Sequence, residues 1–326
     1  TPPARAASFD LRKELERFAL LIAWALLIFV FAITLPDTFF TWRTFSTLFG
    51  SQAVLVVLAL AVMVPLIAFD FDLSCSSVLV VTSMCIAVLN VRMDLDIGIA
   101  ILAALALGAA AGAVNAFFIL YFRIHSLIIT LGLGTFLNGM TLWMSNANTV
   151  SGVDMALVEA VVITRFLGIP LAFYYGIVVA LALWYFLAYT VAGRKLVFVG
   201  RGREVARLNG VKVDAVRAAA LIASGVLSAL AGVLYAGMSG SANPSSGLSL
   251  LLPAFAAVFL GATTIAPGRF NPLGTLLSVY FLITGITGLT MLGADAYVQS
   301  LFYGGALIIA VSLSQLVRKR QPQSFG

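Results

Sequence analysis

Long runs of apolar residues constrain this sequence more than any other feature. A helix needs about 20 predominantly apolar residues to cross a bilayer, and about ten runs reach or approach that length. Only 10% of the residues are charged, against roughly a quarter in an ordinary soluble domain, so the chain has too few polar groups for a solvated globular surface. The sequence therefore predicts an all-α integral membrane protein of about ten transmembrane helices. The runs are 18–35, 50–69, 73–90, 97–121, 126–144, 173–191, 216–237, 248–264, 273–292 and 297–317.

The series of runs shows signs of an interruption at two places. The second and third are separated only by Asp70, Phe71 and Asp72, so they form either two crossings or one broken element with a turn at membrane depth. The eighth contains Pro253, which cannot donate a helical hydrogen bond, and it is predicted to be a broken or re-entrant segment. The first run begins only near Phe18, so we expect a retained membrane anchor rather than a cleavable signal peptide.

The distribution of lysine and arginine predicts the orientation, because cytoplasmic loops are enriched in these residues. The sequence holds 19 of them, and with a cytoplasmic N-terminus and about ten crossings 16 fall inside and three outside. The three outside are Arg43, Arg92 and Arg165. So uneven a division predicts an even number of crossings with both termini in the cytoplasm.

No linker or low-complexity tract divides the chain, so one integral domain is the simplest description. We predict a cytoplasmic segment over residues 1–17, a single transmembrane domain over 18–317 and a cytoplasmic tail over 318–326. Small residues that recur four positions apart, such as Gly108 and Gly112, predict tight helix crossings within the chain or between subunits.

The largest basic loop, at about 192–215, contains the segment GRKLVFVGRGREVARLNGV. Its spacing predicts about two turns of helix, with Val205 and Leu208 three residues apart on one side and Gly210 placed to end the helix. A short cytoplasmic helix that exposes apolar side chains favours docking to another protein. The alternative is a solvated loop that only sets the orientation, which explains the arginines but not the apolar pair.

The sequence lacks the usual motifs of an enzyme. It contains no phosphate-binding G-x-x-x-x-G-K-[ST] loop, no G-x-S-x-G motif and a single histidine, His125, so no histidine-based metal cluster is predicted. Cys75 and Cys85 lie in one apolar run and are expected to be small buried residues. A chain this apolar is not expected to bind nucleic acid despite its net charge of +6. An ion-coupled secondary transporter remains an alternative, because Asp72, and less surely Asp70, lie at membrane depth.

The basic loop resembles the coupling loop of permease subunits in ribose-type ABC importers, in which a segment of the form E-A-A-x-x-x-G contacts the ATPase. Glu204, Ala206 and Gly210 match that form, and Val205 replaces one alanine. Further segments are similar to the same family, in the same order, and extend the resemblance from about residue 55 to 317. They are FDFDLSCSS, IHSLIITLGLGTFLNGMTL, SGVLSALAGVLYAGMSGSANPSSG and AFAAVFLGATTIAPGRFNPLGTLL.

The sequence departs from the family pattern at several positions. Phe69 and Asp70 stand where the family has two glycines, and Ser76 replaces a later glycine. The segment LLLP at 250–253 stands where many members carry an acidic E-L-D. The implied fold does not depend on these residues, but the identity of the sugar does not follow from the resemblance.

The resemblance implies a permease subunit that moves a monosaccharide or related polyol inward across the bacterial plasma membrane. It implies three protein partners: a cytoplasmic ABC ATPase that binds ATP and Mg²⁺, an extracytoplasmic sugar-binding protein and a second permease copy. The chain itself is expected to hold no cofactor, no metal and no catalytic residue. The residues expected in the ATPase-coupling loop are Arg203, Glu204, Val205, Ala206, Leu208 and Gly210.

An uncharged sugar carries many hydroxyl groups, so its path needs weak, exchangeable hydrogen bonds rather than a tight site. The side chains that fit this role are Ser74, Asn115, Asn138 and Asn243, although each is equally suited to a packing bond between helices. Asp72 is predicted to lie near the path or its gate, or alternatively to cap the N-terminus of the third span.

Overall fold

The computed structural model of this protein describes residues 11–320, so the predicted N-terminal segment up to residue 10 and the tail from residue 321 lie outside it. Within that range the chain is mainly helical, as predicted, with four strands of two residues each. The α-helices are α1 (Leu11–Thr34), α2 (Trp42–Ser51), α3 (Ala53–Ile67), α4 (Cys75–Ala87), α5 (Ile97–Tyr121), α6 (Ser126–Ser145), α7 (Met155–Val158), α8 (Leu171–Tyr189), α9 (Val191–Arg201), α10 (Arg203–Leu208), α11 (Val213–Ser239), α12 (Leu248–Gly261), α13 (Pro272–Met291) and α14 (Ala296–Arg320). The strands are β1 (Val150–Ser151), β2 (Arg165–Phe166), β3 (Ile169–Pro170) and β4 (Ser241–Ala242).

Seven helical segments in the described range are long and apolar enough to cross a membrane. Helices α2 and α3 together form one of them, Trp42–Ile67, because only Gln52 separates the two. Three shorter apolar helices, within α1, α12 and α14, occupy the remaining three predicted runs. The count of ten crossings therefore stays a prediction.

Helices α3 and α4 form the centre of the bundle. Every residue of both helices is buried and neither helix contains a charged residue, which is the pattern of a helix enclosed by other helices. Helix α11 packs along α3, α4 and α5 and joins them into one core. Helices α6 and α8 expose many apolar side chains, as suits helices that face lipid.

Small residues allow α5 and α11 to approach closely, as their spacing predicted. A side-chain carbon added to Gly108 would collide with Gly225 and Ala229, and one added to Gly112 would collide with the Leu221 carbonyl. Such close approach is the usual reason for small residues at helix crossings in membranes. These crossings lie within one chain.

One end of the bundle gathers arginines that the orientation places inside. Arg123 pairs with Asp214 at the start of α11, and Arg203 contacts the loop that precedes α4. Arg269 lies at the same end, near Arg201. Burial and the charge of Arg201 together lower the pKa of the Arg269 guanidinium. We call this the basic end.

The opposite end carries the three arginines that were predicted to lie outside. Arg43 and Arg165 line one surface cavity, and Arg92 donates to the carbonyls of Met144 and Ser145 at the end of α6. Arg43, Arg92 and Arg165 therefore lie at a different end from Arg123, Arg203 and Arg269.

The long connection over residues 146–170 forms a small cap at the opposite end. It contains α7, a π-helical turn over Glu159–Ile163 and the β2–β3 hairpin. Strand β1 pairs antiparallel with β4, with Val150 opposite Ala242. This pairing ties the cap to the chain that leaves α11.

The residues around Asp70 form a loop between two separate helices, which decides between the predicted alternatives. Helix α3 ends at Ile67 and α4 begins at Cys75. Residues 68–74, here called the inner loop, lie at the basic end, because Arg203 bonds to them. The far ends of α3 and α4 lie at the opposite end, so the segment is two helices of opposite direction.

The eighth run forms one continuous helix although it contains Pro253. Helix α12 runs through Pro253 without a break, and its 14 residues span only about 21 Å at 1.5 Å per residue. Of the two predicted alternatives, the broken helix was therefore wrong. A non-helical stretch precedes the helix instead.

Residues 243–247 form this non-helical segment. The preceding Ala242 pairs with Val150 at the opposite end, whereas Gly247 packs against Val80 and the Ser76 carbonyl, near the start of α4. The chain therefore passes deep into the bundle before α12 begins. We call residues 243–247 the break segment.

Candidate functional site

The predicted short helix of the basic loop forms as α10, Arg203–Leu208. Backbone bonds of 3.0 Å run from Gly210 N to the Arg207 carbonyl and from Val211 N to the Ala206 carbonyl, an arrangement that closes helix C-termini. Gly210 has a φ of +77°, which glycine adopts at little cost. The prediction that Gly210 ends this helix is confirmed.

Helix α10 turns one face toward the bundle and the other away from it. Ala206 is fully buried, whereas Val205 is 49% and Leu208 86% exposed. Glu204 and Arg207 form an exposed ion pair at 3.3 Å, which contributes little to stability in water. Two apolar side chains therefore project from the basic end beside a charged pair.

Arg203 connects α10 to the inner loop. Its Nη2 donates to the carbonyl oxygens of Ala68 at 2.8 Å and Phe69 at 3.1 Å, and to Asp70 Oδ1 at 3.1 Å. The three acceptors belong to consecutive residues. One guanidinium nitrogen thus holds the turn that follows α3.

Asp70 joins this contact to the core of the bundle. Its buried carboxylate accepts from Arg217 Nε and Nη2 of α11, both at 2.7 Å. Two-point bonds between ionised groups are among the strongest hydrogen bonds in proteins. Loss of either partner leaves a buried charge with only one weaker ion pair, Arg203 for Asp70 or Asp214 for Arg217, and breaking a buried pair typically costs about 3–5 kcal/mol.

Weaker ion pairs continue from Arg217 across the basic end. Arg217 Nη1 lies 4.0 Å from Asp214 Oδ1, and Asp214 accepts two bonds from Arg123, at 3.0 and 3.1 Å. The charges therefore connect α10, the inner loop, α11 and the connection between α5 and α6. Because Arg123 and Asp214 are exposed, this last pair contributes little stability.

Asp72 lies two residues further along the inner loop and is also buried. Its Oδ1 accepts from the backbone nitrogen and the hydroxyl of Ser74, and its Oδ2 accepts from Ser224 Oγ of α11 at 2.8 Å. The Ser74 hydroxyl accepts from Asn115 Nδ2 of α5 at 2.8 Å. Three of the predicted path residues thus meet Ser224 in one buried group, here called the polar cluster.

The role predicted for Asp72 as a helix cap is wrong in detail. Ser74, not Asp72, occupies the N-cap position of α4. Asp72 instead binds the cap residue and α11. In the described part of the chain no lysine, arginine or histidine lies within ion-pair distance of it, so only neutral donors hold this carboxylate.

Two buried atoms beside the polar cluster lack a hydrogen-bond partner among the described residues. They are Asn115 Oδ1 and Ser228 Oγ, and Ser228 lies one helical turn beyond Ser224. Because buried polar atoms are nearly always hydrogen-bonded, water or a solute hydroxyl is expected to supply the missing hydrogen bonds of these two atoms.

The two remaining path candidates lie apart from the polar cluster. Asn243 is exposed at the start of the break segment, where its Oδ1 accepts from Ser245 N at 2.8 Å. Asn138 is half-buried on α6 and bonds to no member of the cluster. Asn243 and Ser245 are both exposed and polar, and non-helical backbone within a membrane is tolerated where protein encloses it or water borders it.

A family model described as the permease component of branched-chain amino acid transport systems matches residues 44–311. The chain belongs to this permease family. It is therefore a multi-pass membrane protein, as the apolar helices also indicate. No solved structure matches it.

Curated relatives in this permease family are named for sugar transport. The chain is 30% identical over 213 residues to the D-allose transport system permease protein of Escherichia coli K12, which is 65% of each chain. It is 33% identical to the ribose import permease protein of the same strain over 63% of this chain and 65% of that one. It is 32% identical to the ribose import permease protein of Bacillus subtilis over 62% and 63% of the two chains.

These matches confirm the resemblance to ribose-type importer permeases. They span about two thirds of the length of the relatives, 65% for each of the first two. A relative in Photorhabdus luminescens, 32% identical over 63% of each chain, is named as an autoinducer 2 import system permease protein.

Neither the Asp70 ion pairs nor the role of Arg217 was predicted from the sequence. One feature of the sequence did indicate a partner for Asp70. This acid stands where the related family has glycine, and a buried acid needs a cation or several hydrogen-bond donors. The basic loop and the start of α11 together offer seven basic residues, from Arg194 to Arg217. Only the packing of α11 against the inner loop selects Arg217 and Arg203 among them.

Proposed function

We propose that this chain is the transmembrane permease subunit of an ATP-binding-cassette importer. The observation that carries the proposal is α10, whose Leu208 is 86% exposed on the loop between α8 and α11 at the basic end. Since the sequence holds no ATP-binding loop, the energy for transport comes from another protein. Val205 and Leu208 enter an apolar groove of a cytoplasmic ATPase, and Glu204 and Arg207 contact its rim.

The path runs through the bundle between the break segment and the polar cluster. Gly247 packs against Ser76, which follows the cluster residue Ser74 by two positions. Exposed polar groups at Asn243 and Ser245 border the path from one side. Displacement of α10 by the ATPase tilts the spanning helices and opens the path to alternate sides of the membrane.

The cargo is a monosaccharide or related polyol. The family description refers to amino acids, whereas the relatives named above refer to ribose and D-allose. The polar cluster supports a neutral cargo, because its donors and acceptors are hydroxyl and amide groups beside one carboxylate, Asp72. An amino acid carboxylate would need a cation there, and the nearest buried one, Arg217, is occupied by Asp70.

The assembly contains a cytoplasmic ABC ATPase, an extracytoplasmic binding protein that delivers the sugar, and a second copy of this chain. The chain crosses the bacterial inner membrane about ten times, with both termini in the cytoplasm and the transmembrane domain over residues 18–317. The ATPase binds ATP and Mg²⁺, and this chain acts as a transport subunit rather than an enzyme.

The test is to coexpress the chain with an ATPase and a binding protein encoded beside it, and to reconstitute the purified complex in liposomes. We expect the ATPase to copurify and labelled ribose or allose to enter only with ATP and binding protein. Uptake that needs neither, or a chain that retains no ATPase, would contradict the importer.

One observation favours a second function, an ion-coupled secondary transporter. Asp72 is a buried carboxylate held by neutral donors alone among the described residues, as in groups that bind and release a coupling ion. This function requires sugar uptake by the chain alone in liposomes, driven by a proton or sodium gradient. The same preparation without ATPase therefore separates the two functions.

A further inference from the structure

We propose that Asp70 is the positioning residue that transmits movement of α10 to the polar cluster, through Arg203 on one side and Arg217 on the other. The proposal rests on the proposed function, because the movement originates in the ATPase. It assigns a mechanical role to three side chains that lie outside the polar cluster and of which only Arg203 belongs to the coupling loop.

The two ion pairs of Asp70 differ in how firmly they are held. The pair with Arg217 is buried and bonded at two points, both 2.7 Å. The pair with Arg203 is a single 3.1 Å bond to a partly exposed side chain. The first pair therefore fixes the inner loop to α11, and the second connects this fixed unit to the helix that the ATPase moves.

The inner loop is bonded to the core along its length, so a displacement at Asp70 cannot stay local. Phe71 N donates to Ser126 Oγ at 3.1 Å, and Leu73 N donates to Thr130 Oγ1 of α6 at 3.2 Å. Asp72 lies two residues from Asp70, within about 7 Å along an extended chain. A shift of Asp70 therefore reaches Asp72 and, through Ser224, α11.

Only the carboxylate bonds to Arg203 and Arg217 depend on the side chain at position 70. In the related family pattern, Phe69 and Asp70 are replaced by two glycines, which offer no carboxylate to either arginine. Backbone packing supplies a second contact at the same place, because a side-chain carbon on Gly200 of α9 would collide with the Ile67 carbonyl. The loop before α4 and the helices that lead into α10 are thus in direct contact both with and without Asp70, and the acid adds a polar link.

The test compares Arg203→Gln with the matched control Arg123→Gln in the reconstituted complex. Both variants remove one positive charge from the basic end, but Arg123 is exposed and bonds to Asp214 rather than to the inner loop. The measurements are copurified ATPase, ATP hydrolysis, and sugar molecules transported per ATP hydrolysed. We expect Arg203→Gln to bind the ATPase normally but to lower transport per ATP by about 5-fold or more, the lower range of coupling between sites. Arg123→Gln should keep the wild-type ratio.

A second variant tests the chemistry of the contact. All three bonds of Arg203 come from one nitrogen, so Arg203→Lys should recover much of the lost transport per ATP. A wild-type ratio in Arg203→Gln with ATPase bound would overturn the link but leave the importer intact. Loss of ATPase binding in Arg203→Gln would place Arg203 in the docking surface and also overturn the link. A wild-type chain that binds no ATPase would instead contradict the proposed function.

Discussion

Asp70 and Arg217 bond at two points, with both nitrogen–oxygen distances 2.7 Å, between the inner loop and α11. Both side chains are buried, and each is the other's main charge partner beside the weaker pairs with Arg203 and Asp214. The pair holds the connection between the two central helices α3 and α4 against α11.

Arg217→Gln is expected to destabilise the folded protein by about 3–5 kcal/mol, because it leaves the Asp70 charge buried without its main partner. The control is Arg123→Gln, whose exposed pair with Asp214 is worth at most about 1 kcal/mol. Thermal unfolding of both purified variants in one detergent measures the difference. Equal unfolding temperatures for the two would show that the buried pair does not stabilise the bundle.

Asp72→Asn is expected to lower sugar uptake more than it lowers the amount of protein in the membrane. The carboxylate accepts three hydrogen bonds from Ser74 and Ser224, and a carboxamide has only one oxygen to accept them. The control is Asp154→Asn, an exposed carboxylate that accepts from Ala156 N. Uptake per molecule at the wild-type level in Asp72→Asn would limit Asp72 to a packing role.

Leu208→Asp is expected to weaken the complex with the ATPase by a few kcal/mol, on the order of the cost of an unpaired polar group in a dry contact. The matched control is Leu167→Asp, which is also strongly exposed, at 73%, but lies at the opposite end. The ratio of ATPase to permease after affinity purification measures the effect. An unchanged ratio in Leu208→Asp would mean that the basic loop serves orientation only.

Gly210→Val is expected to displace the end of α10 and to reduce ATP-driven uptake without changing the orientation. No heavy atom lies within 4 Å of an added side-chain carbon at Gly210, so the cost arises from the φ of +77°, about 1–2 kcal/mol or more for a residue with a side chain. Gly202→Ala is the control, because Gly202 is extended, with φ of 176°. Uptake should fall in the first variant and persist in the second.

Single cysteines at positions 201 and 165 test the orientation, in a background without Cys75 and Cys85. Both native positions carry exposed arginines, at the basic end and the opposite end respectively. A membrane-impermeant thiol reagent applied to intact cells should label position 165 and leave position 201 unlabelled until the membrane is opened. Labelling of position 201 from outside would reverse the orientation.

The helices were predictable because a chain in lipid can satisfy its backbone hydrogen bonds in only a few ways. Apolar runs of spanning length must form helices, since unpaired backbone groups are too costly in the bilayer, and the runs match the observed helices. The end of α10 at Gly210 was also predictable, because it follows from local conformation. Small residues such as Gly108 predicted a close crossing, although not its partner on α11.

The sequence by itself determined which apolar segments are helical and where α10 ends. These properties depend on neighbouring residues and on the solvent around them. It did not determine that the first half of the basic loop forms α9, that Asp70 meets Arg217, that Asn115 joins Asp72 while Asn138 does not, or that the non-helical stretch precedes α12. Those relationships join residues far apart in the chain, up to 147 positions for Asp70 and Arg217, so only the packing of α11 against its neighbours decided them.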